Sequence, residues 1–199
     1  MCALVLPLLF FSIGGAAYGN YLMTNNLLTN VIASSGTTTI EIRGWKINST
    51  NTMDANGNGF ILGDELQIQE VKDADSLTEG LIICVNPIFP DWQLKLSVDV
   101  HNMAISTPVL LNTTIQYYDS NGILRDTDAT GLWNMFKLRF TSTWYNSTGH
   151  LIPDIATYDL FPCRTVTSLE SLTFEGTNNP ELQGQEFAIV ILIGANLPE

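Results

Sequence analysis

The chain has 199 residues and carries eight basic against twenty acidic side chains, which gives a net charge of −12 at pH 7. This balance argues against a nucleic-acid backbone as partner, because few cationic side chains are available to displace its counterions. Hydrophobic residues make up 45% of the sequence and charged residues only 14%, a composition that suits one domain with a sizeable core.

The first seventeen residues have the features of a secretory leader. An apolar run over residues 2–13 precedes small residues, and Gly15 and Ala17 stand at positions −3 and −1 of a cleavage site before Tyr18. The run is shorter than the roughly 20 residues that a membrane span needs. No Lys or Arg precedes it, which departs from the usual leader pattern. We expect a secreted protein at the cell surface, whose leader, residues 1–17, is either cleaved or kept as its only membrane contact.

The next segment, residues 18–36, mixes Leu, Met, Val and Ile with Asn and Thr and ends in Ala-Ser-Ser-Gly. Two structures are open to such a strand-like stretch on a flexible tether. It either folds back as the first strand of its own domain, or leaves that domain and adds to the sheet edge of a neighbour. The β-domain itself is expected over residues 37–199.

Strand patterns dominate this domain, and no stretch keeps apolar residues at helical spacing. Alternation over residues 92–102 predicts a half-buried strand, and residues 135–145 repeat it. Residues 187–193 are apolar on both faces, which is typical of a central strand. The inward face of the first of these strands is predicted to comprise Trp92, Leu94, Leu96, Val98 and Val100.

Five further stretches read as strands: residues 37–47, 64–71, 80–85, 108–118 and 164–175. The sequences between them contain Asn-Gly and Pro turn signals. About eight strands without helical crossovers predict an all-β fold, an antiparallel and jelly-roll-like β-sandwich.

The sequence DANGNGFILGDE, residues 54–65, matches a twelve-residue calcium loop. Gly59 falls at its sharp turn, and predicted strands on both sides make it a bare loop rather than an EF-hand. Affinity for Ca²⁺ is expected to be modest, because two of the ligands carry charge. The alternative is an Asn-Gly hairpin whose polar groups bond their own backbone. The predicted calcium ligands are Asp54, Asn56, Asn58, the Phe60 carbonyl and Glu65.

Two cysteines lie beyond the leader, Cys84 and Cys163. In an exported chain they predict one disulfide that closes a loop of nearly eighty residues. Such a bridge stabilises by about 4 kcal/mol in the chain-entropy model. The alternative is a pair of buried thiols that never meet.

Three Asn-x-Thr sequons begin at Asn48, Asn112 and Asn146 and are candidate glycosylation sites in an exported chain. Asn146 lies in a predicted turn, which makes it the best of the three. Asn112 lies in a predicted strand, where its side chain faces either outward or inward.

No catalytic motif is present in the sequence. His101 and His150 lack the His-Glu-x-x-His spacing of a zinc protease, and no nucleophile elbow or phosphate loop occurs. We therefore expect no enzymatic activity and two solvent-exposed histidines. The four tryptophans are expected either in the core or on a sugar-stacking platform: Trp45, Trp92, Trp133 and Trp144.

Three segments together resemble the TasA/camelysin group and its archaeal relatives, the bundling pilins. These are the GGAAY at the end of the leader, FPDWQLKLSVDVHNMAISTPVLL over residues 89–111, and ELQGQEFAIVILIG over residues 181–194. In that group a turn rich in Pro and Gly leads into a long strand that ends in Asn, followed by small residues and Pro. The matching positions are Pro90, Trp92, Asn102 and Pro108, with a late polar turn at residues 182–186.

The resemblance implies a secreted, jelly-roll-like sandwich that polymerises into extracellular filaments of a pilus or biofilm matrix. Each subunit's N-terminal strand would fill a groove in the next copy, giving a head-to-tail homopolymer that also bundles with other filaments. The alternative is a secreted, calcium-stabilised adhesin or carbohydrate-binding sandwich that acts as a monomer. The candidate inserting residues are Tyr21, Leu22, Leu27, Leu28, Val31 and Ile32.

Overall fold

A computed structural model describes residues 40–53, 57, 65–72, 78–86, 91–119, 123–128, 132–133, 138–174 and 187–196. The leader and the N-terminal segment, with all six candidate inserting residues, lie outside the described residues. The described strands are β1 (Ile40–Thr50), β2 (Leu66–Lys72), β3 (Thr78–Val85), β4 (Gln93–Asn102), β5 (Leu110–Asp119), β6 (Leu124–Asp128), β7 (Leu132–Trp133), β8 (Leu138–Asn146), β9 (Leu151–Ile152), β10 (Thr165–Phe174) and β11 (Phe187–Asn196).

The strands form two sheets in which every pairing is antiparallel. One sheet has the order β1-β4-β10-β8-β7, with β9 paired to β8, and the other has the order β2-β3-β11-β5-β6. One short 3-10 helix, Ile155–Thr157, follows β9. The two sheets pack face to face, which confirms the predicted all-β sandwich. Within the described ranges, no helix is long and apolar enough to cross a membrane.

All eight predicted strands are present. β6, β7 and β9 are additional, and they are short, at five, two and two residues. Such segments are too brief to show an alternating pattern, so sequence analysis missed them.

The core between the sheets follows the predicted alternation. The five residues predicted on the inner face of β4 are all 0% exposed. Inner residues of β10 and β11 meet them, including Leu172, Ile189 and Ile191. The alternation of β4 therefore places its apolar face against the second sheet, as period-two spacing requires.

β11 is covered on both faces, as its sequence predicted. It lies between β3 and β5, and the six residues 188–193 are all buried. Ile189, Ile191 and Ile193 belong to the main core, whereas Ala188, Val190 and Leu192 belong to a second apolar cluster. Since neighbouring residues of a strand point to opposite faces, this second cluster lies on the outer face of the five-stranded sheet.

A buried glutamate ties the two sheets together at one side of the sandwich. Glu79 of β3 is 5% exposed, and its Oε2 accepts a hydrogen bond from the backbone N–H of Ile42 in β1. The register of β1 on β4 shifts between Ile42 and Gly44. The carboxylate therefore satisfies a backbone donor of an edge strand, which closes this side of the sandwich.

Replacing Leu96 by Ala should lower the free energy of unfolding by about 2–5 kcal/mol, because it opens a cavity between the sheets. Leu169→Ala is the matched control, since Leu169 is 39% exposed on the outer face of β10. We expect it to cost less than about 1 kcal/mol. Urea unfolding followed by tryptophan fluorescence measures both values, and equal losses would contradict this assignment of faces.

Candidate functional site

A groove of about 650 Å³ runs between β5 of one sheet and β8 of the other. Residues on both walls belong to the apolar core or pack against it, so the groove is continuous with the apolar interior. Its apolar lining comprises Leu111 and Ile115 from β5, Phe140 and Trp144 from β8, and Ile152 and Ile155 beyond them. The rest of the lining is mostly uncharged and polar: Asn112, Thr113, Thr141, Ser142 and Thr143.

Each wall of the groove carries a stretch of strand edge with no strand beside it in the described part of the chain. β8 pairs with β10 along its length, but on its other edge β7 reaches only to Arg139 and β9 begins only at Trp144. Among the described residues, no strand pairs with this edge of residues 140–143. On β5, pairing with β6 begins at Ile115, and no described strand pairs with the same edge over residues 110–114.

Open strand edges present backbone N–H and C=O groups in a regular row, and an extended peptide can pair with such a row. Here the two rows flank an apolar channel. The side of the sandwich at β5 and β8 is bridged in part, by the Val109–Leu160 β-bridge and by the 3-10 helix that packs on β5. The two unpaired stretches lie between these contacts and β6 and β7, whereas on the side at β1 and β3 the Glu79 carboxylate bonds the Ile42 amide.

A buried polar cluster lies behind the β8 wall. Ser142 lines the groove, and its Oγ donates to Oε1 of Glu170 at 3.1 Å. Ser168 Oγ lies 2.9 Å from Ser142 Oγ and also donates to Glu170 Oε1. Glu170 is 1% exposed, and among the described residues its Oε2 has no hydrogen-bond partner.

Burial raises the pKa of Glu170 to about 7, because the charged carboxylate loses its hydration inside the sandwich. The hydrogen bonds from Ser168 and Ser142 act in the opposite direction, since they stabilise the charged form. At pH 7 the carboxyl group is therefore about half protonated in the folded protein, and the protonated form is both a hydrogen-bond donor and an acceptor.

A second polar group of the groove also lacks a partner. Thr113 of β5 lines the groove, and its buried Oγ1 makes no hydrogen bond within the described residues. A buried hydroxyl without a partner costs stability. An occupant with backbone or side-chain polar groups would therefore improve the hydrogen bonding of this wall.

Sequence analysis did not identify these polar residues as a site, although a signal was present. Ser168 and Glu170 share the inner face of β10 with Val166, Leu172 and Phe174. Polar residues at inward positions of an alternating strand mark either a buried network or a binding surface. The tertiary pairing of β10 with β8 was needed to bring Ser142 to the same place.

Away from the groove, Glu65 is the one predicted calcium ligand that the structure describes. It precedes β2, is 2% exposed, and neither carboxylate oxygen has a hydrogen-bond partner in the described part of the chain. Gly57, within the same loop sequence, has the left-handed φ of 71°. The other predicted ligands, Asp54, Asn56, Asn58 and Phe60, lie outside the described residues.

A buried carboxylate with two unpartnered oxygens is costly unless a cation or donor reaches it. Glu65 has the donor chemistry that Ca²⁺ prefers, since hard oxygen ligands suit this ion. Among the described residues no three His, Cys, Asp or Glu side chains cluster closely enough to hold a metal. The fit to calcium therefore rests on Glu65 together with the spacing in the sequence.

The predicted disulfide between Cys84 and Cys163 is not formed. Cys84 of β3 is buried in the outer cluster of the five-stranded sheet, whereas Cys163 is exposed in the turn before β10. Cys84 lies in a strand of the five-stranded sheet and Cys163 in a turn that leads into the other sheet, and both thiols are free. The alternative of two buried thiols is wrong for Cys163, whose side chain faces solvent.

The expectation of an exposed His101 is wrong as well. This residue is 5% exposed, and its Nδ1 lies 3.0 Å from Thr165 Oγ1. Burial lowers its pKa below the ordinary value, and the nearby Arg43 guanidinium acts in the same direction. His150 is exposed, as predicted.

The three sequons occupy different settings. Asn48 and Asn112 are exposed on β1 and β5, so the inward orientation considered for Asn112 does not occur. Asn146 ends β8, and its Oδ1 accepts hydrogen bonds from the backbone N–H groups of Thr148 and His150. Glycosylation of any of the three remains a prediction.

Two of the tryptophans belong to the core rather than to a sugar-stacking platform. Trp92 is 0% exposed and its Nε1 donates to Thr52 Oγ1 at 2.9 Å. Trp144 is 4% exposed and backs the groove. Trp45 packs against the core from β1, and the side chain of Trp133 lies outside the described part of the chain.

No protein-family model matches this chain, and a comparison with curated proteins also finds no match.

Glu170→Gln should remove a pH dependence of stability. Between pH 4.5 and 7 the unfolded carboxyl group loses its proton while the folded one keeps it. The unfolded state then binds fewer protons, so the free energy of unfolding falls as pH rises. The shift corresponds to about 3 kcal/mol.

Urea unfolding of both proteins from pH 4 to 8 measures this effect. The difference in free energy of unfolding, wild type minus variant, should fall by about 3 kcal/mol over that range. The opposing titration of His101 is common to both proteins and cancels. A difference that stays constant with pH would contradict the assignment.

Proposed function

We propose that this protein is an exported structural subunit of an extracellular filament, a pilus or biofilm matrix fibre. Residues 18–36 of one copy would occupy the groove of the next. The observation that carries the proposal is a pair of strand edges, at residues 110–114 and 140–143, that no described strand pairs and that lie on either side of an apolar groove. The resemblance to the TasA/camelysin group and the bundling pilins supports the same assembly.

An inserted strand would satisfy what this side of the sandwich lacks. Its backbone would pair with an open edge, and its apolar side chains would extend the core between the sheets. Because the inserting segment and the groove are different surfaces, each added copy leaves a new groove free. A contact of this heterologous kind propagates into a fibre when the rotation between copies does not close.

The charge of the segment also suits the groove. Residues 18–36 contain no Asp, Glu, Lys or Arg, and Asp154 is the one charged residue of the groove lining in the described part of the chain. Burying a charged side chain without an opposite charge nearby is costly, so an uncharged occupant is favoured. The Asn and Thr side chains of the segment could hydrogen-bond the Thr113 and Ser142 hydroxyls of the lining.

A small ligand is the less well supported occupant. The volume of the groove falls within the range of small-molecule sites, about 300–1,000 Å³. A small molecule does not use a row of backbone groups along two strands, however, and an extended peptide does. Burial of Trp92 and Trp144 also removes two aromatic faces from the carbohydrate-binding alternative.

Thr113→Trp tests the groove, with Thr114→Trp as its matched control. Thr113 points into the groove, whereas Thr114 is the next residue along β5 and points to the opposite face of the sheet. We expect the first substitution to abolish polymerisation by filling the groove, and the second to leave it intact. Light scattering and electron microscopy of residues 18–199, made in a host that does not glycosylate, provide the readout.

Deleting residues 18–36 separates the filament from the monomeric alternative. A subunit that donates this segment should stay folded and soluble but lose polymerisation, and a synthetic peptide of residues 18–36 should bind its groove. The peptide should fail to bind Thr113→Trp. Misfolding of the deleted chain would instead assign the segment to its own sheet and contradict the proposal.

Calcium binding near Glu65 is a second proposal, and it is compatible with either a filament subunit or a monomeric adhesin. The buried Glu65 carboxylate, which has no partner among the described residues, supports it. The predicted ligands of the preceding loop would supply the other oxygen atoms. When bound, the ion would neutralise the carboxylate and hold this loop against the start of β2.

Glu65→Gln should lower the melting temperature in calcium but not in chelator, where no ion is bound and removal of an uncompensated buried charge leaves it equal or higher. Differential scanning calorimetry of the wild type and the variant, each in about 5 mM calcium and in EDTA, gives the four melting temperatures. Glu70→Gln on the neighbouring strand β2 is the control and should behave alike in both conditions. Equal effects of Glu65→Gln with and without calcium would end this proposal.

A further inference from the structure

An exposed apolar surface lies at one end of the sandwich. Its members are Met103 and Ile105 in the loop after β4, and Phe161 in the turn before β10, which are 54%, 96% and 59% exposed. Scattered apolar residues are common on protein surfaces, whereas clustered ones mark contact sites. We call these three residues the apical surface.

Hydrogen bonds hold the two loops of the apical surface together. Asn102 is 0% exposed, and its Nδ2 donates to the carbonyls of Thr107 and Leu160 at 3.0 and 2.8 Å. Its Oδ1 accepts from the backbone N–H of Ala104 at 2.8 Å. One buried side chain thus fixes both loops, so little conformational entropy remains to be lost when a partner binds.

The turn that carries Phe161 is also constrained. The backbone N–H of Arg164 donates to the Phe161 carbonyl at 3.2 Å, and Cys163 within this turn has the left-handed φ of 58°. A non-glycine residue in this region is strained, and such strain concentrates at functional surfaces. The turn holds the Cys163 thiol in solvent next to the loop of Met103 and Ile105, with its Sγ 4.0 Å from the Ala104 carbonyl.

The position of β1 indicates what covers this surface. Ile40, the first described residue of β1, pairs with Asn102, so the N-terminal segment is joined to the sandwich at the apical end. Gly36 and Ile40 are four residues apart and span at most about 14 Å. A copy that accepts residues 18–36 in its groove would therefore lie within about 14 Å of this end of the donating copy.

We propose that the apical surface packs against the second copy that accepts the N-terminal segment. This inference rests on the proposed filament and adds a contact to it. The rim of the accepting groove offers an apolar counterpart, since Leu151 lines that groove and is 58% exposed. The subunits are then joined by the inserted strand and by an apolar contact around its point of entry.

The Cys163 thiol provides a test that needs no substitution. Cys84 is 7% exposed, so a maleimide reagent distinguishes the two thiols, and peptide mass spectrometry reports modification at Cys163 itself. We expect Cys163 of residues 18–199 to react at least tenfold more slowly in filaments than in dilute monomer. Filaments in which Cys163 reacts at the monomer rate would overturn the inference and leave the proposed function standing.

Met103→Asp and Met53→Asp form a matched pair, because the two side chains are 54% and 55% exposed at opposite ends of the sandwich. Met103→Asp should raise the critical concentration for assembly at least tenfold and leave binding of the peptide of residues 18–36 unchanged. Met53→Asp should change neither. Equal effects of the two substitutions would count against the apical contact.

Two further outcomes would also overturn the inference. If Cys163 is protected in dilute monomer and loses this protection when residues 18–36 are deleted, the chain's own N-terminal segment covers the apical surface. Absence of both filaments and peptide binding would overturn the proposed function and this contact together.

Discussion

The requirement that backbone polar groups find partners governs this structure. Every strand of a sandwich must pair at its edges, meet solvent or be capped. On one side, the Glu79 carboxylate accepts the hydrogen bond from Ile42 and ties β1 to the other sheet. On the other side, no described strand pairs with residues 110–114 of β5 or 140–143 of β8, which flank an apolar groove. The proposed function rests on these two unpaired edges.

The groove combines apolar walls with a polar cluster that the fold does not fully satisfy. Glu170 lies in the core between the two sheets, behind Ser142, and one of its carboxyl oxygens has no hydrogen-bond partner in the described part of the chain. A leucine at this position would suit a closed core better, since burying a carboxyl group is unfavourable. Ser142, which lines the groove and donates to this carboxyl group, is the member of the cluster that an occupant could reach.

Polarity along the long axis of the sandwich gives the proposed assembly its direction. β1 begins beside Asn102 at the apical end, whereas the loop that leads to Glu65 follows the opposite end of β1. The points where the N-terminal segment and the predicted calcium loop join β1 thus lie at opposite ends of the molecule. In the proposed filament, a donor at one end and a groove along one side would place successive copies in the same orientation.

Most of the fold was predictable from local pattern. Period-two alternation located eight strands and the inner face of β4, and the continuous apolar run located β11 at the centre of its sheet. These signals are local because neighbouring side chains of a strand face opposite sides whatever the rest of the chain does. The loop sequence before β2 likewise singled out Glu65 before its burial was known.

Tertiary structure decided which residues meet. Cys84 and Cys163 looked like a pair in the sequence, but they lie in different parts of the fold, one buried and one exposed. His101 was expected in solvent because it lies on the polar face of β4. The neighbouring strands β1 and β10 nevertheless bury it at the end of the sheet. Strand order also sets the edges that remain open and the polar cluster of Ser142, Ser168 and Glu170. Sequence alone determined the strands and their faces; their pairing across long separations, which no local pattern encodes, determined the groove.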